Sequence, residues 1–154
     1  MTPTVRVAWA EGADRALSLP IYRSEGAAGA DLRLNLPQAA RALGLTLAPG
    51  ERALASTGLR LAIPAGFEGQ LRMRSGLALR HGLTLPNAPG TIDADYRGEV
   101  MVLLLNAGAA PVALAHGERI AQLVVAPVAR AAFVLADIDD TPRGQRGFGS
   151  TGRA

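Results

Sequence analysis

Four stretches of the chain combine glycine, charge and hydroxyl groups in a way that packing alone does not require. The tripeptide R-S-G at 74–76 ends an alternating segment and opens a short helical one. Main-chain N–H groups at such a start attract anions, and Arg74 can add a forked donor for phosphate oxygens. A capped helix beside a surface arginine fits the same three residues. The stretch G-T-I-D-A-D-Y-R-G at 90–98 sets Asp93, Asp95 and Tyr96 between glycines that let backbone come close to a ligand. Asp93 has the chemistry of a general base for a water within hydrogen-bond reach; a polar hairpin whose acids only make turns is the alternative. G-E-R-I-A-Q-L at 117–123 carries the lone amide Gln122 into an apolar strand, where it needs a partner from a ligand or a neighbouring strand. The fourth, R-G-Q-R-G-F-G-S-T-G at 143–152, holds two arginines, two hydroxyls and a phenylalanine. It could close over a base and its phosphates, and by composition it also reads as a disordered tail. It is not a P-loop, since it has no lysine and follows no βαβ unit.

The remaining reactive side chains do not group. His81 and His116 lack metal-ligand spacing, and Ser24, Ser56 and Ser75 lack a G-x-S-x-G setting. Trp9, Tyr22 and Phe133 read as packing residues.

The elements that must position these groups are short strands. Residues 67–74 alternate polar and apolar, which puts Arg72 and Arg74 on one face of a half-buried strand. V-M-V-L-L-L-N at 100–106 is an apolar run of strand length between Gly98 and Gly108. Further strands are expected at 5–9, 30–34, 52–56, 59–63 and 120–127. Many short strands with turn residues between them predict a sandwich, barrel or jelly roll. One helix is expected at 75–81, with Ser75 as N-cap and Gly82 as its stop. Residues 38–43, after Pro37, are either a helical turn or a loop, and 139–154 read as a mobile tail or lid.

With 154 residues the chain suits one core, and the absence of cysteine excludes disulfides and thiolate zinc. The net charge of +3 and the pI near 10.5 suggest nucleic acid as a partner. All 16 basic residues are arginine, however, and they are scattered among 13 acids without a basic stripe. No nucleic-acid partner is expected. No apolar run approaches the roughly 20 residues of a membrane span, and the N-terminus lacks a secretory pattern, so a cytoplasmic protein without membrane contact is expected.

In this order and spacing the segments resemble the trimeric dUTP pyrophosphatase (dUTPase) family: A-G-A-D-L at 28–32, R-S-G-L-A at 74–78, then the hairpin, G-E-R-I-A-Q-L and the glycine-rich tail. The resemblance implies an all-β, jelly-roll-like barrel or sandwich with one short helix, a homotrimer, and a flexible C-terminal tail. Residues 1–138 would form the jelly-roll domain, and 139–154 a lid that completes a neighbouring subunit's active site. It implies hydrolysis of dUTP to dUMP and pyrophosphate, with Asp93 activating the water that attacks the α-phosphorus. Mg²⁺ would ride on the triphosphate, with Asp31 an outer-shell partner of its waters. Arg74, Ser75 and Gly76 would hold phosphates, and Gln122 the α-phosphate or the water. Asn87, Thr91 and Ile92 would read uracil, while Tyr96 packs on deoxyribose and Met101 lines the pocket. In the tail, Arg143 would reach the γ-phosphate and Phe148 would stack on the base, with Gly149, Ser150 and Thr151 beside them.

Two departures stand out: Met73 where the family often has proline, and a longer stretch at 37–44, expected to be a surface elaboration. Within the same fold a dCTP deaminase is the nearest rival, followed by a non-catalytic nucleotide-binding trimer. A nucleic-acid-binding β module comes last.

Overall fold

The computed structural model describes residues 2–147. Its strands are β1 (Arg6–Trp9), β2 (Ala30–Arg33), β3 (Leu45–Leu47), β4 (Arg52–Ala62), β5 (Phe67–Met73), β6 (Leu83–Thr84), β7 (Gly90–Ile92), β8 (Glu99–Asn106), β9 (Val112–Leu114) and β10 (Arg119–Pro127). One α-helix, α1 (Ser75–His81), and one 3₁₀ turn (Gln38–Ala40) complete the described elements. Two four-stranded sheets face each other, in the orders β1-β4-β8-β6 and β2-β10-β5-β7, and β3 pairs with β9 at one end. All strand pairs are antiparallel.

The core between the sheets is built of aliphatic side chains that alternate along each strand. On β8, Val100, Val102 and Leu104 are buried, while Met101, Leu103 and Leu105 stay half-buried on the outer face. The continuous apolar run therefore covers both faces of its strand, as a strand packed on both sides would. On β5 the buried residues are Gly69 and Leu71, and Glu68, Gln70 and Arg72 lie on the other face. There Gln70 donates to Glu68 at 2.8 Å and Arg72 donates to Gln70 at 2.6 Å.

The two strands expected at 52–56 and 59–63 are one strand, β4, with a register shift between Ser56 and Arg60. Gly58 makes this possible. Its φ of +67° suits a residue without Cβ, and an added Cβ would lie 2.5 Å from the Asn35 amide nitrogen. The helix runs where expected, but its N-cap is Arg74, in extended conformation, rather than Ser75. No side-chain hydrogen bond closes that end. Gly82 stops the helix with φ 68° and donates to the Ala78 carbonyl. Residues 38–40 form a single 3₁₀ turn, and Leu43 in the same stretch is 85% exposed.

Buried polar groups are paired. Asn106, fully buried, donates to the carbonyls of Leu47 and Ala110 at 3.0 and 2.8 Å and accepts from the Gly108 N–H at 2.9 Å. It thereby joins the ends of β3, β8 and the β8–β9 turn. The packed body ends at Val128, whose N–H donates to the Gly66 carbonyl at 2.9 Å. Residues 129–147 carry no strand and are exposed, with Phe133 at 96% and Leu135 at 106%.

Replacing Asn106 with alanine leaves one N–H and two carbonyls without partners, and unfolding free energy should fall by about 2–4 kcal/mol. Urea unfolding at matched protein concentration measures this.

Candidate active site

One half of the site lies on the outer face of the β2-β10-β5 sheet. Gln122 pairs with Asp31 on one side and Arg72 on the other, so the three side chains share a face. Gly29 clears the space beside the amide: an added Cβ there would sit 3.1 Å from Gln122 Cβ. Arg74 continues the same row at the end of β5, where Ser75 and Gly76 begin α1.

Asp31 is 7% exposed and carries three guanidinium groups. Arg119 donates to Oδ2 at 2.9 Å, Arg23 donates through Nε to the same oxygen at 3.3 Å, and Arg74 Nε lies 3.4 Å from Oδ1. Arg74 also donates to the Arg119 carbonyl at 2.9 Å, which locks two of the arginines together. Burial pushes the Asp31 carboxyl up, but the hydrogen bonds from Arg119 and Arg23 and the charges of Arg74 and Arg119 outweigh it and hold its pKa below the ordinary value of 3.8. The cluster of one anion and three cations keeps surplus positive charge, suited to phosphate oxygens.

The other half is the hairpin of β7 and β8. A cleft of about 190 Å³ opens there, with Asn87, Thr91, Ile92, Asp93, Tyr96 and Met101 in its walls. Two glycines shape it. At Gly90 an added Cβ would lie 3.1 Å from the Asn87 amide nitrogen, and at Gly98 only 2.3 Å from the Tyr96 hydroxyl oxygen. The Tyr96 ring is pinned across Gly98 by donation of its hydroxyl to the Glu99 carbonyl at 3.0 Å. The Ala88–Pro89 bond before β7 is cis. Among the described residues β7 is the last strand of its sheet and pairs only with β5, which leaves its outer main-chain groups facing away from the ladder.

Asp93 follows β7 and is exposed. It borders the small cleft and also a larger one of about 640 Å³, which Glu68, Asp95 and Arg130 line as well. Glu99, the second carboxylate on the small cleft, accepts from the Gly58 N–H at 2.8 Å and from the Ser56 hydroxyl.

The residues singled out in the sequence fall into two groups, and each group is brought together: Asp31, Arg74, Ser75, Gly76 and Gln122 in the first, and Asn87, Thr91, Ile92, Asp93, Tyr96 and Met101 in the second. The chain does not join the groups to each other: neither Asp31, Arg74 nor Gln122 lines the small cleft. Arg143 lies apart from both, in the exposed segment, where it exchanges hydrogen bonds with Arg146. Phe148, Gly149, Ser150 and Thr151 lie outside the described residues. The sequence does not announce Arg23 and Arg119 as Asp31 ligands. Arg119 stands within G-E-R-I-A-Q and could be suspected from that motif; Arg23 has no sequence signal at all.

Among the described residues no cluster of three or more metal-ligating side chains occurs, and no helix is long and apolar enough to cross a membrane.

Fold and site together define a β-sandwich protein with a small cleft at a sheet edge and, apart from it, three arginines gathered on a buried carboxylate. The profile of the dUTPase family matches residues 15–152. The deoxyuridine 5'-triphosphate nucleotidohydrolase of Roseobacter denitrificans is 57% identical over 150 residues, covering 97% of this chain and 96% of its own. The enzyme of the same name from Methylocella silvestris is 61% identical over 144 residues, covering 93% and 87%. Among solved structures, the Staphylococcus bacteriophage 80alpha dUTPase with dUpNHpp superposes with a TM-score of 0.82 at 25% identity, covering 99% of this chain and 100% of that one. A mutant dUTPase of the S. aureus phage phi11, described with a structural Mg(II) ion, gives a TM-score of 0.73 at 20% identity over 90% of this chain and 99% of that one. The chain belongs to the dUTPase family.

Because the Asp31 carboxyl is lowered, its ion pairs stabilise the fold fully above its unfolded pKa and are lost as pH falls through the folded value. The stability difference between wild type and Asp31→Asn should therefore be constant from about pH 5 to 8 and shrink below the ordinary carboxyl value of 3.8. Chemical denaturation across that pH range checks it.

Proposed function

We propose that this protein is a dUTP diphosphatase that converts dUTP and water to dUMP and pyrophosphate. The observation that carries this reading is the small cleft, in which Asn87, the outer edge of β7, Tyr96 and Asp93 converge. Uracil presents alternating acceptors and a donor along one edge. An edge strand presents the complementary main-chain row, and Asn87 supplies an amide with both functions. A site fitted in this way leaves its own groups unpaired against cytosine, which disfavours the wrong base. Tyr96, fixed over Gly98, forms a rigid wall against the sugar and excludes a 2′-hydroxyl. Met101 closes the apolar side.

In this reading Asp93 is the base. It takes a proton from a water whose oxygen attacks the α-phosphorus, the bond to the α,β-bridging oxygen breaks, and pyrophosphate leaves. Arg74, Ser75 and Gly76 bind the phosphate chain, and Gln122 holds the α-phosphate or the water. Glu99 accepts through Oε1 from both the Ser56 hydroxyl and the Gly58 N–H, which ties this carboxylate to the bulge of β4. The donor set suits Mg²⁺ carried by the nucleotide: there is no protein cage among the described residues and Asp31 is sheathed in arginines, so Asp31 would meet the ion through its waters. When bound, Mg²⁺ supplies neutralisation of charge on the leaving pyrophosphate.

The active unit is proposed to be a homotrimer. Three features support a partner of the same sequence. The outer face of β8 carries half-buried Met101, Leu103 and Leu105 beside Leu54, which is 64% exposed. Phe133, Val134, Leu135 and Ile138 project from the segment after β10 with nearly all their surface exposed. The arginine cradle and the acidic rim of Glu68, Asp93 and Asp95 are complementary surfaces on different parts of one chain. A heterologous contact that closes a ring satisfies all three. Residues 139–154 are assigned as a lid over a neighbour's site, with Arg143 toward the γ-phosphate and Phe148, Gly149 and Ser150 over the base. The cytoplasm, where the nucleotide pool lies, is the proposed location.

Product analysis with dUTP, dCTP, dTTP and UTP, with Mg²⁺ and then with EDTA, tests the reading. Pyrophosphate and dUMP are expected from dUTP alone. Asp93→Asn should lower turnover by about 10²–10⁴ while dUTP binding persists; ammonia release from dCTP would overturn the assignment. Deletion of residues 143–154 should spare folding and oligomeric state but severely reduce turnover, and an unchanged rate would refute the lid.

A further inference from the structure

Arg23 lies outside every motif that suggests chemistry, yet it reaches the centre of the arginine cradle. Its loop is laid against the flank of β2 by an isolated bridge between Ile21 and Asp31, in which the Asp31 N–H donates to the Ile21 carbonyl at 3.1 Å. From there Arg23 donates to Asp31 Oδ2 through Nε at 3.3 Å. Arg119 shares that oxygen at the shorter distance of 2.9 Å, and Arg74 covers the other. Asp31 is therefore already paired without Arg23.

The three arginines differ in how much of each is engaged. Arg74 is bonded to a carbonyl as well as to Asp31, and its side chain is 25% exposed. Arg23 bonds through Nε alone among the described residues, and its side chain is 50% exposed. Its two terminal nitrogens, the fork that matches phosphate oxygens, are left uncommitted at the lip of the cradle.

We propose that Arg23 is a further triphosphate-binding residue of this protein, holding the terminal phosphates of the nucleotide beside Asp31. The proposal rests on the dUTP reading above. Asp31 keeps the guanidinium parked at the site by its longer, shared bond, so little ordering is needed when phosphate arrives. A third arginine also offsets the charge of a triphosphate that two arginines and Asp31 leave largely uncompensated. The base half of the nucleotide, seated at the hairpin, does not feel it.

The test compares wild type, Arg23→Gln and Arg23→Lys in calorimetric titration with dUpNHpp plus Mg²⁺ and with dUMP, beside steady-state kinetics with dUTP. In Arg23→Gln, affinity for dUpNHpp should fall about tenfold, the loss of one charge-assisted pair, and KM should rise in step. Affinity for dUMP and kcat at saturation should hold. Arg23→Lys, with the charge but not the fork, should fall between. Unchanged dUpNHpp affinity in Arg23→Gln overturns the proposal, as does an equal loss for dUMP and dUpNHpp, which marks Arg23 as a clip for its loop. If wild type neither hydrolyses dUTP nor binds dUpNHpp, the dUTP reading fails first and takes the proposal with it.

Discussion

Asp31 is a carboxylate that water scarcely reaches, and three segments remote in sequence converge to keep it charged. A buried ion without partners is costly enough that the fold must supply them or leave the group neutral. Here the supply comes from the loop before β2, the end of β5 and the start of β10. Their positions are consequently interdependent. β5 and β10 are already joined by a long ladder, and Arg74's bond to the Arg119 carbonyl ties the two arginines across it. The anion cradle is thus set before any ligand arrives, which is the condition under which electrostatic stabilisation acts with least reorganisation.

The hairpin obeys a different constraint. β7 is three residues long, pairs on one side only, and leads into an exposed aspartate. An aspartate so exposed is in direct contact with bulk water. Nothing in the same chain's cradle lines that cleft. Cradle and cleft lie on separate surfaces of the chain, and the apolar outer face of β8 and the apolar arm after Val128 are the surfaces that the proposed trimer would cover.

Strands with a strong period are legible in the amino-acid sequence: β5 by its alternation, β8 and β10 by their apolar runs, α1 by its glycine stop. β3, β6, β7 and β9 are not, because two or three residues cannot express a period. β4 reads as two strands because Gly58 looks like a turn, whereas it is a bulge fitted under Asn35. Motif resemblance names the site residues, and register then explains why Asp31, Arg72 and Gln122 share a face. Arg23 is beyond the reach of sequence patterns, since its role depends on a bridge between a loop and β2 that no local pattern encodes.

That loop is not loosely held, which bears on what Arg23 can do. Asp14 accepts from His116 Nε2 at 3.1 Å, while Nδ1 of the same ring accepts from the Leu36 N–H at 3.1 Å, so the ring is the neutral tautomer with its proton on Nε2. Asn35 grips the Asp14 backbone twice, at 2.9 and 3.1 Å, and Arg33 donates to Ser18 at 3.2 Å. The loop is therefore fastened at residues 14, 18 and 21 before Arg23, and the Ile21–Asp31 bridge closes the turn that carries it. Between such anchors the backbone near residue 23 has little room to wander, and the freedom left to Arg23 is that of its own side chain. A half-exposed arginine on a fixed stem loses less entropy on engaging a ligand than one on a free loop, so the clamps around Asp14 reduce the ordering that any new contact of Arg23 requires.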